Sequence, residues 1–448
     1  MPSNKKYLNI YIIAIIVMIA ILLAVAIPSA TIDATSDTLK LVPTDNRISI
    51  SQILTAPIDG LIGNNDGTTI SSSNSGTPAG AISLVLLVLG IGSFVSVCVK
   101  IGLFDALINK VVYSGFKIET ITFLLITYFT TSAMVYGLYE TAICYLPVLI
   151  SLYKKYNVKP IYAVKLLLVS VSIGYMSSPI NPFATVVADQ IAGVNDLFLF
   201  RAVFMLVLYT GAVIILLRDL NKYDLAIDNQ EYKQTKLPVL SLILFLVPYV
   251  YMTIGFIPNF LFSSTNPQVT IVFVITAFIL SKLNGQTSDE AITTIIGGIN
   301  SFMIIAISIT LARSVYIILL NGQVIDPIIY GIVTAISNFN PIVIIILILI
   351  VYGLFAYGIP SPSALAMITL PILVPSLMLV GISSQVTVTI YLVAHGLSKL
   401  LSMTSPLVIS CLGEAGVSYN QYTSALRTPI MFITLTGLVM IFSSYLIY

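Results

Sequence analysis

Apolar runs of about twenty residues recur along this chain, and charged residues are nearly confined to the short segments between them. That pattern leaves few folds open. A soluble domain is usually roughly a quarter charged. Here 8% of 448 residues are charged, 58% are apolar and the mean hydropathy is +1.03. Most of the chain must therefore face lipid or other helices, where every backbone polar group has to be bonded within the structure. The expected fold class is an all-α polytopic membrane protein with about 10–13 spanning or re-entrant helices, in two inverted repeats with broken helices and hairpins.

The same composition narrows the function. A net charge of +2 without a basic patch gives no reason to expect nucleic acid. Cys98, Cys144 and Cys411 sit in apolar segments without paired-ligand spacing, so neither a disulfide framework nor a metal site is expected. No cofactor is implied. No nucleophile–base pair stands out, so an enzyme is not expected, and no ATPase motif points to directly ATP-driven transport.

Lys5 and Lys6 precede an apolar run, Tyr7–Ile27, longer than the ~7–15-residue core of a signal peptide. It reads as an uncleaved first span. Residues 1–79 hold that span and a long extracytoplasmic loop, in which Ile48–Ile62 reads as an amphipathic interfacial helix. Residues 80–217 read as a first repeat, 218–236 as a cytoplasmic linker and 237–448 as a second repeat. With the N-terminus cytoplasmic, only Lys40, Arg47, Arg201 and Arg313 fall outside, which obeys the positive-inside rule. The expected location is multi-pass in the inner or plasma membrane. Lys165, close to Lys159, reads as a lysine snorkelling to the interface.

Short matches run in order along the two halves. Gly102-Leu-Phe-Asp105 pairs with Gly322-Gln-Val-Ile-Asp326, and Tyr136-Gly137 with Tyr357-Gly358. Met176-Ser-Ser-Pro-Ile180 pairs with Met403-Thr-Ser-Pro-Leu407, and Ile191–Val194 with Glu414–Val417. Lys100–Lys117 is basic and falls inside, while the matching Asn321–Pro341 carries no Lys or Arg and falls outside, so the halves read as inverted. Inverted repeats with interrupted helices are a signature of secondary transporters.

Two spans are interrupted at matching places. Pro179 and Pro182 each remove a backbone donor beside Ser177, Ser178 and Asn181. The second interruption is Ser402-Met-Thr404-Ser405-Pro406, preceded by His395 and Lys399. Before each comes an irregular stretch, Gly137-Leu-Tyr-Glu140-Thr141 and Tyr357-Gly-Ile-Pro360-Ser361-Pro-Ser363, read as re-entrant hairpins whose tips meet the breaks. Irregular backbone at membrane depth is tolerated where it is buried or lines a cavity, and half-helix N-termini favour a carboxylate. Ionisable residues inside a membrane are costly and usually functional. Glu140 can bind a cationic group or carry a proton, Lys399 can face a carboxylate or stand in for a bound cation, and His395, one helical turn away, can relay protons. The expected solute site is Glu140, Thr141, Ser177, Ser178, Asn181, Ser361, Ser363, His395, Lys399, Thr404 and Ser405, with Na⁺ near Ser178 and Asn181 as the one candidate metal position.

At these residues the chain resembles the YfcC/DcuC family of membrane carriers, within the larger ion-transporter superfamily, from about Ala26 to Met431. The resemblance rests on Ala56-Pro57-Ile58, Gly137-Leu-Tyr-Glu140-Thr141-Ala142, Ser178-Pro-Ile-Asn181-Pro182-Phe183 with Ile191–Val194, Ala312-Arg313 before Asn321-Gly322 and Asp326, and Ile359–Ala364. Such carriers move four-carbon dicarboxylates or exchange basic amino acids such as arginine and ornithine. The sequence departs from the family's pattern where Thr141 replaces a second hairpin Glu and where His395-Gly-Leu-Ser-Lys399 replaces Asp-Gly-Phe-x-Asn. Loss of that Asn favours exchange or H⁺ coupling over a second Na⁺ site. The expected function is secondary active transport of a small carboxylate-bearing solute, an amino acid or dicarboxylate, by exchange or ion coupling. A basic amino acid antiporter is the alternative, ahead of a channel or membrane-embedded enzyme. The expected partners are that solute, the lipid bilayer and Na⁺ or H⁺; a homodimer is left open.

Overall fold

The computed structural model describes residues 8–33, 40–45, 47–62, 82–112, 115–225, 238–257, 265–359 and 361–448. Lys5, Lys6 and Pro360 lie outside them, as do 34–39, 46 and 63–79 of the long loop and 226–236 of the linker.

The first apolar run forms α1 (Leu8–Ala26), which packs along a long later helix. The chain then turns through an antiparallel ribbon of β1 (Ala30–Asp33) and β2 (Lys40–Pro43), a departure from the all-helical expectation. Its cause is tertiary: the Ala30 amide donates to Gln323 O and the Thr44 hydroxyl to Gln323 Oε1, so the segment leaving α1 is tied down as an extended strand. The segment expected to be an amphipathic helix is α2 (Ile50–Ile62). Its small residues Ala56 and Gly60 point inward, while Ile50, Leu54 and Ile58 stand outward at helical spacing. A stripe of that kind suits lipid rather than water.

The first half consists of α3 (Ile82–Lys100), α4 (Leu103–Val112), α5 (Ile118–Tyr136), a 3-10 turn (Glu140–Tyr145) running into α6 (Leu146–Lys155), then α7 (Pro160–Met176), α8 (Thr185–Ala192) and α9 (Phe198–Leu220). Helices α10 (Val239–Phe256) and α11 (Asn266–Leu283) follow. The second half consists of α12 (Ser288–Asn321), α13 (Ile325–Ile336), α14 (Pro341–Gly358), α15 (Pro362–Met378), α16 (Ser384–Leu401), α17 (Pro406–Ala415), α18 (Tyr419–Ala425) and α19 (Arg427–Ile447). The order matches element by element: α3 with α12, α4 with α13, α5 with α14, the 3-10 turn and α6 with α15, α7 with α16, α8 with α17, and α9 with α19. Among the described residues, eight helical segments are long and apolar enough to cross a membrane.

Packing makes the correspondence physical. Helix α3 lies along α12, and α7 lies along α16, so matched elements meet at the centre. Each hairpin reaches into the other half: the 3-10 turn packs on α17, and α15 packs on α8. Where the broken helices α7 and α16 cross, a Cβ on Gly396 would stand 2.5 Å from Met176 Cβ. Outward faces are apolar, as with Val203, Leu206 and Ile214 on α9 and Leu435 and Val439 on α19.

The two spans read as interrupted, at 160–193 and 384–416, are each two helices with unwound backbone between them, at 177–184 and 402–405. Lys165 does not snorkel. Its ammonium is buried and donates to Asp219 at 2.6 Å, and Asp219 also pairs with the exposed Lys222 at 2.6 Å. Burial makes that pairing obligatory, since an unpaired cation there would lose its hydration without compensation. Across the break, Arg201 of α9 forms a two-pronged pair with Asp189 of α8, at 2.5 and 2.7 Å. Helix α9 thus holds both pieces of the first broken helix, one at each end.

Candidate functional site

Each break satisfies the open end of the helix before its hairpin. The last carbonyls of a helix have no partner within it. In the first half Ser178 Oγ donates to Met134 O at 3.1 Å and Asn181 Nδ2 to Ala133 O at 2.7 Å, both in the last turn of α5. Asn181 Oδ1 in turn accepts from the Phe183 and Ala184 amides at 3.0 and 2.9 Å, which orders the turn leading into α8. In the second half Ser402 Oγ donates to Tyr357 O at 2.8 Å, and the Thr404 hydroxyl donates to the same carbonyl of α14. Within the first break the Thr185 hydroxyl donates to Ser178 O at 2.7 Å, the carbonyl that Pro182, having no N–H, cannot serve.

Cross-links between the halves then close the centre. The Tyr139 hydroxyl, at the tip of the first hairpin, donates to Lys399 O at 3.0 Å and lies 2.5 Å from Ser405 Oγ. Ser363, in the second hairpin, donates to Phe183 O at 2.8 Å. One tyrosine binds each hairpin to its own half: Tyr175 donates to Gly137 O at 2.7 Å, and Tyr391 to Pro362 O at 2.8 Å. Gly137 has φ +71°, and a Cβ there would stand 3.1 Å from the Tyr175 hydroxyl and collide with the Phe183 ring. Only glycine meets both demands at low cost.

Inside this frame lies one ammonium. Lys399 Nζ stands 3.3 Å from the centroid of the Tyr139 ring and 4.6 Å from that of Tyr175. Both rings present their negative π faces to it. Lys399 is 3% exposed, and its Nζ has no hydrogen-bond partner among the described residues. The same holds for the Ser398 hydroxyl and for both ring nitrogens of His395, which stacks on Tyr391. These three side chains share one face of α16 at i, i+3 and i+4 spacing. Buried polar groups are ordinarily hydrogen-bonded, so three orphans on one face beside a helix break are the most unusual feature of the molecule.

Two further charges act on this centre. Glu140, half-buried at the start of the 3-10 turn, is within electrostatic reach of Lys399 and of Arg313 on α12. Arg313 is within reach of Lys399 as well, and its Nε has no hydrogen-bond partner among the described residues. No direct ion pair joins any two of the three. Gly60 lets α2 come close to α12 at Arg313.

Of the residues expected to form a solute site, the structure brings together Glu140, His395, Lys399 and Ser405. Thr141 is buried beside Glu140. Ser177 faces Met205 Sδ at 3.3 Å, Ser361 stands at the start of α15 with its hydroxyl toward the Ala364 amide, and Ser178, Asn181 and Thr404 are engaged in capping. The side-chain oxygens of Ser178 and Asn181, read as a Na⁺ position, both take part in hydrogen bonds within the break. Sequence reasoning passed over Tyr139, Tyr175 and Ser398 and set Arg313 at the outer interface. A tyrosine beside each irregular stretch was the available signal.

A model of the C4-dicarboxylate anaerobic carrier family, DcuC, matches residues 7–446. The chain belongs to the DcuC family. It is therefore a membrane transporter. Among curated relatives of this DcuC member, the Escherichia coli K12 protein named "Putative basic amino acid antiporter YfcC" is 25% identical over 411 residues, 84% of this chain and 78% of its own. An uncharacterized Haemophilus influenzae protein is 23% identical over 392 residues, 81% of this chain and 75% of its own. The solved YdaH transporter of Alcanivorax borkumensis aligns over 99% of this chain and 97% of its own, at 14% identity and a TM-score of 0.42.

Proposed function

We propose that this DcuC-family carrier is a secondary active transporter of a small carboxylate-bearing solute, which binds between the two breaks and is moved by exchange or ion coupling. The observation that carries this reading is the Lys399 ammonium, buried without a hydrogen-bond or ion-pair partner among the described residues and flanked by the unpartnered Ser398 and His395. A carboxylate at Lys399 satisfies a desolvated cation at the place where the fold has unwound both central helices, which is where transporters of this architecture hold their solutes. The mirrored order of the halves supports alternating access, with the cross-linked hairpins rocking against the breaks.

A basic amino acid is the second reading. It is favoured by the name of the Escherichia coli relative and by Glu140, which offers a carboxylate to a cationic side chain.

Uptake and counterflow in proteoliposomes test both readings. Arginine, ornithine, neutral amino acids, succinate and short fatty acids are offered with and without Na⁺ and a pH gradient. The expected result is accumulation of a carboxylate-bearing solute, accelerated by the same solute preloaded inside. Equal uptake of a solute and its decarboxylated analogue, or uptake of none, overturns the proposal.

A further inference from the structure

Resting on the reading of this centre as the solute site, we infer that it selects a carboxylate of net charge −1. Three charged side chains define the electrostatics. Lys399 and Arg313 are basic and Glu140 is acidic; Glu140 adjoins Tyr139, whose ring centroid is 3.3 Å from Lys399 Nζ, and both Glu140 and Arg313 are within electrostatic reach of Lys399. Elsewhere the buried Lys165 is matched by Asp219, and the buried Arg201 by Asp189. With both bases protonated and Glu140 ionised, the three side chains carry one surplus positive charge, in a centre where Tyr139, His395 and Lys399 are 1–3% exposed and Glu140 is half-buried.

A surplus charge in a membrane interior is costly, and the cost falls when a ligand neutralises it. A solute of net charge −1 brings the loaded centre to zero. A zwitterionic amino acid leaves +1, arginine or ornithine raises it to +2, and a dianionic dicarboxylate overshoots to −1. A neutral loaded centre is also the state that crosses a low-dielectric region at least cost.

The geometry narrows the chemistry further. The aromatic cage formed by Tyr139 and Tyr175 is already occupied by the protein's own ammonium. A cationic solute finds no free aromatic face there, whereas a carboxylate can use the Lys399 protons that point at no acceptor. The Ser398 hydroxyl and the His395 ring supply further hydrogen-bonding atoms on the same face. Two kinds of solute share this chemistry: simple monocarboxylates, including hydroxy and keto acids, and acidic amino acids, whose two carboxylates and one ammonium sum to −1.

The test is binding and counterflow with the full-length protein against solutes graded by charge. Lactate, pyruvate and butyrate represent monocarboxylates, and aspartate and glutamate acidic amino acids. Alanine is the zwitterion, succinate the dianion and ornithine the cation. Thermal stabilisation of the purified protein in detergent reports binding independently of transport. Wild type is expected to favour a net −1 solute over solutes of other charge by about tenfold or more, and the arms distinguish monocarboxylate from acidic amino acid. Glu140→Gln raises the centre by one charge and is expected to move the preference toward succinate. Arg313→Met lowers it by one and is expected to move the preference toward alanine. Lys399→Arg keeps the charge and the wild-type order. These shifts in ranking are readouts that a purely structural role does not produce, and variants are compared only where their melting shows a folded protein. If carboxylates bind with an order independent of charge, or if both charge variants keep the wild-type order, the charge inference falls and the transporter reading stands. If no carboxylate of any charge binds, the solute-site reading falls and takes this inference with it.

Discussion

The hydroxyl of Tyr139 donates to the backbone carbonyl of Lys399, a bond that spans 260 residues and ties the first hairpin to the second break. The ring of the same tyrosine lies under the Lys399 ammonium. One side chain thus sets both the backbone position of Lys399 and the direction of its charge. Tyr139→Phe removes the first role and keeps the second. It is expected to cost about 1–2 kcal/mol, from one lost buried bond and a carbonyl left unmatched. Tyr139→Leu removes both roles and is expected to weaken solute binding beyond the effect of the Phe variant. Melting in detergent and counterflow separate the two.

Gly137→Ala confronts a positive φ and a collision with Phe183. The expected loss is about 1–3 kcal/mol of backbone strain, together with displacement of Phe183, whose carbonyl accepts the Ser363 bond. Because the hairpin tip and the first break move together, transport is expected to fall more than the melting temperature alone predicts. Normal counterflow with unchanged melting would contradict the close approach.

Asp219 holds two lysines of unequal burial. Asp219→Asn strands the buried Lys165 and is expected to cost about 3 kcal/mol, as for a buried pair that loses one member. Lys165→Met leaves Asp219 with Lys222 and is expected to cost about 1 kcal/mol or less. Equal destabilisation by the two changes would show that the pair does not behave as a buried one.

Asp189→Asn tests the other end of the same splint. Arg201 is 1% exposed and its two-pronged bond to Asp189 is its only ion pair among the described residues. The expected cost is about 3 kcal/mol, at the lower end for a broken buried pair because Asp189 is partly exposed. Arg201→Met, which removes the stranded charge as well, is expected to cost less. Differential melting of the two variants checks the order.

Much of the architecture was legible because its signals are local. Prolines and hydroxyl side chains at 177–182 and 402–406 announce broken helices, and matched short motifs announce two halves. Within the proposed site, the sequence by itself singles out the side chains that are costly in a membrane, Glu140, His395 and Lys399. The sequence leaves open whether Ser178 and Asn181 satisfy freed backbone groups or offer oxygens to a cation; in the structure they and Thr404 bond free carbonyls of helices some fifty residues earlier. Lys165 was misread because its partner, Asp219, lies on another helix.

From residue chemistry alone, the apolar runs required a helical membrane protein, and the prolines required unwound backbone within it, since both follow from bonds that neighbouring residues can or cannot make. Tertiary structure alone decided that Tyr139 and Tyr175 enclose Lys399, that Arg313 joins Glu140 in acting on it, and that Ser363 joins the two halves. Those arrangements depend on which faces of distant helices meet. Interhelical distance and orientation are set by packing over the whole bundle, and no local spacing encodes them.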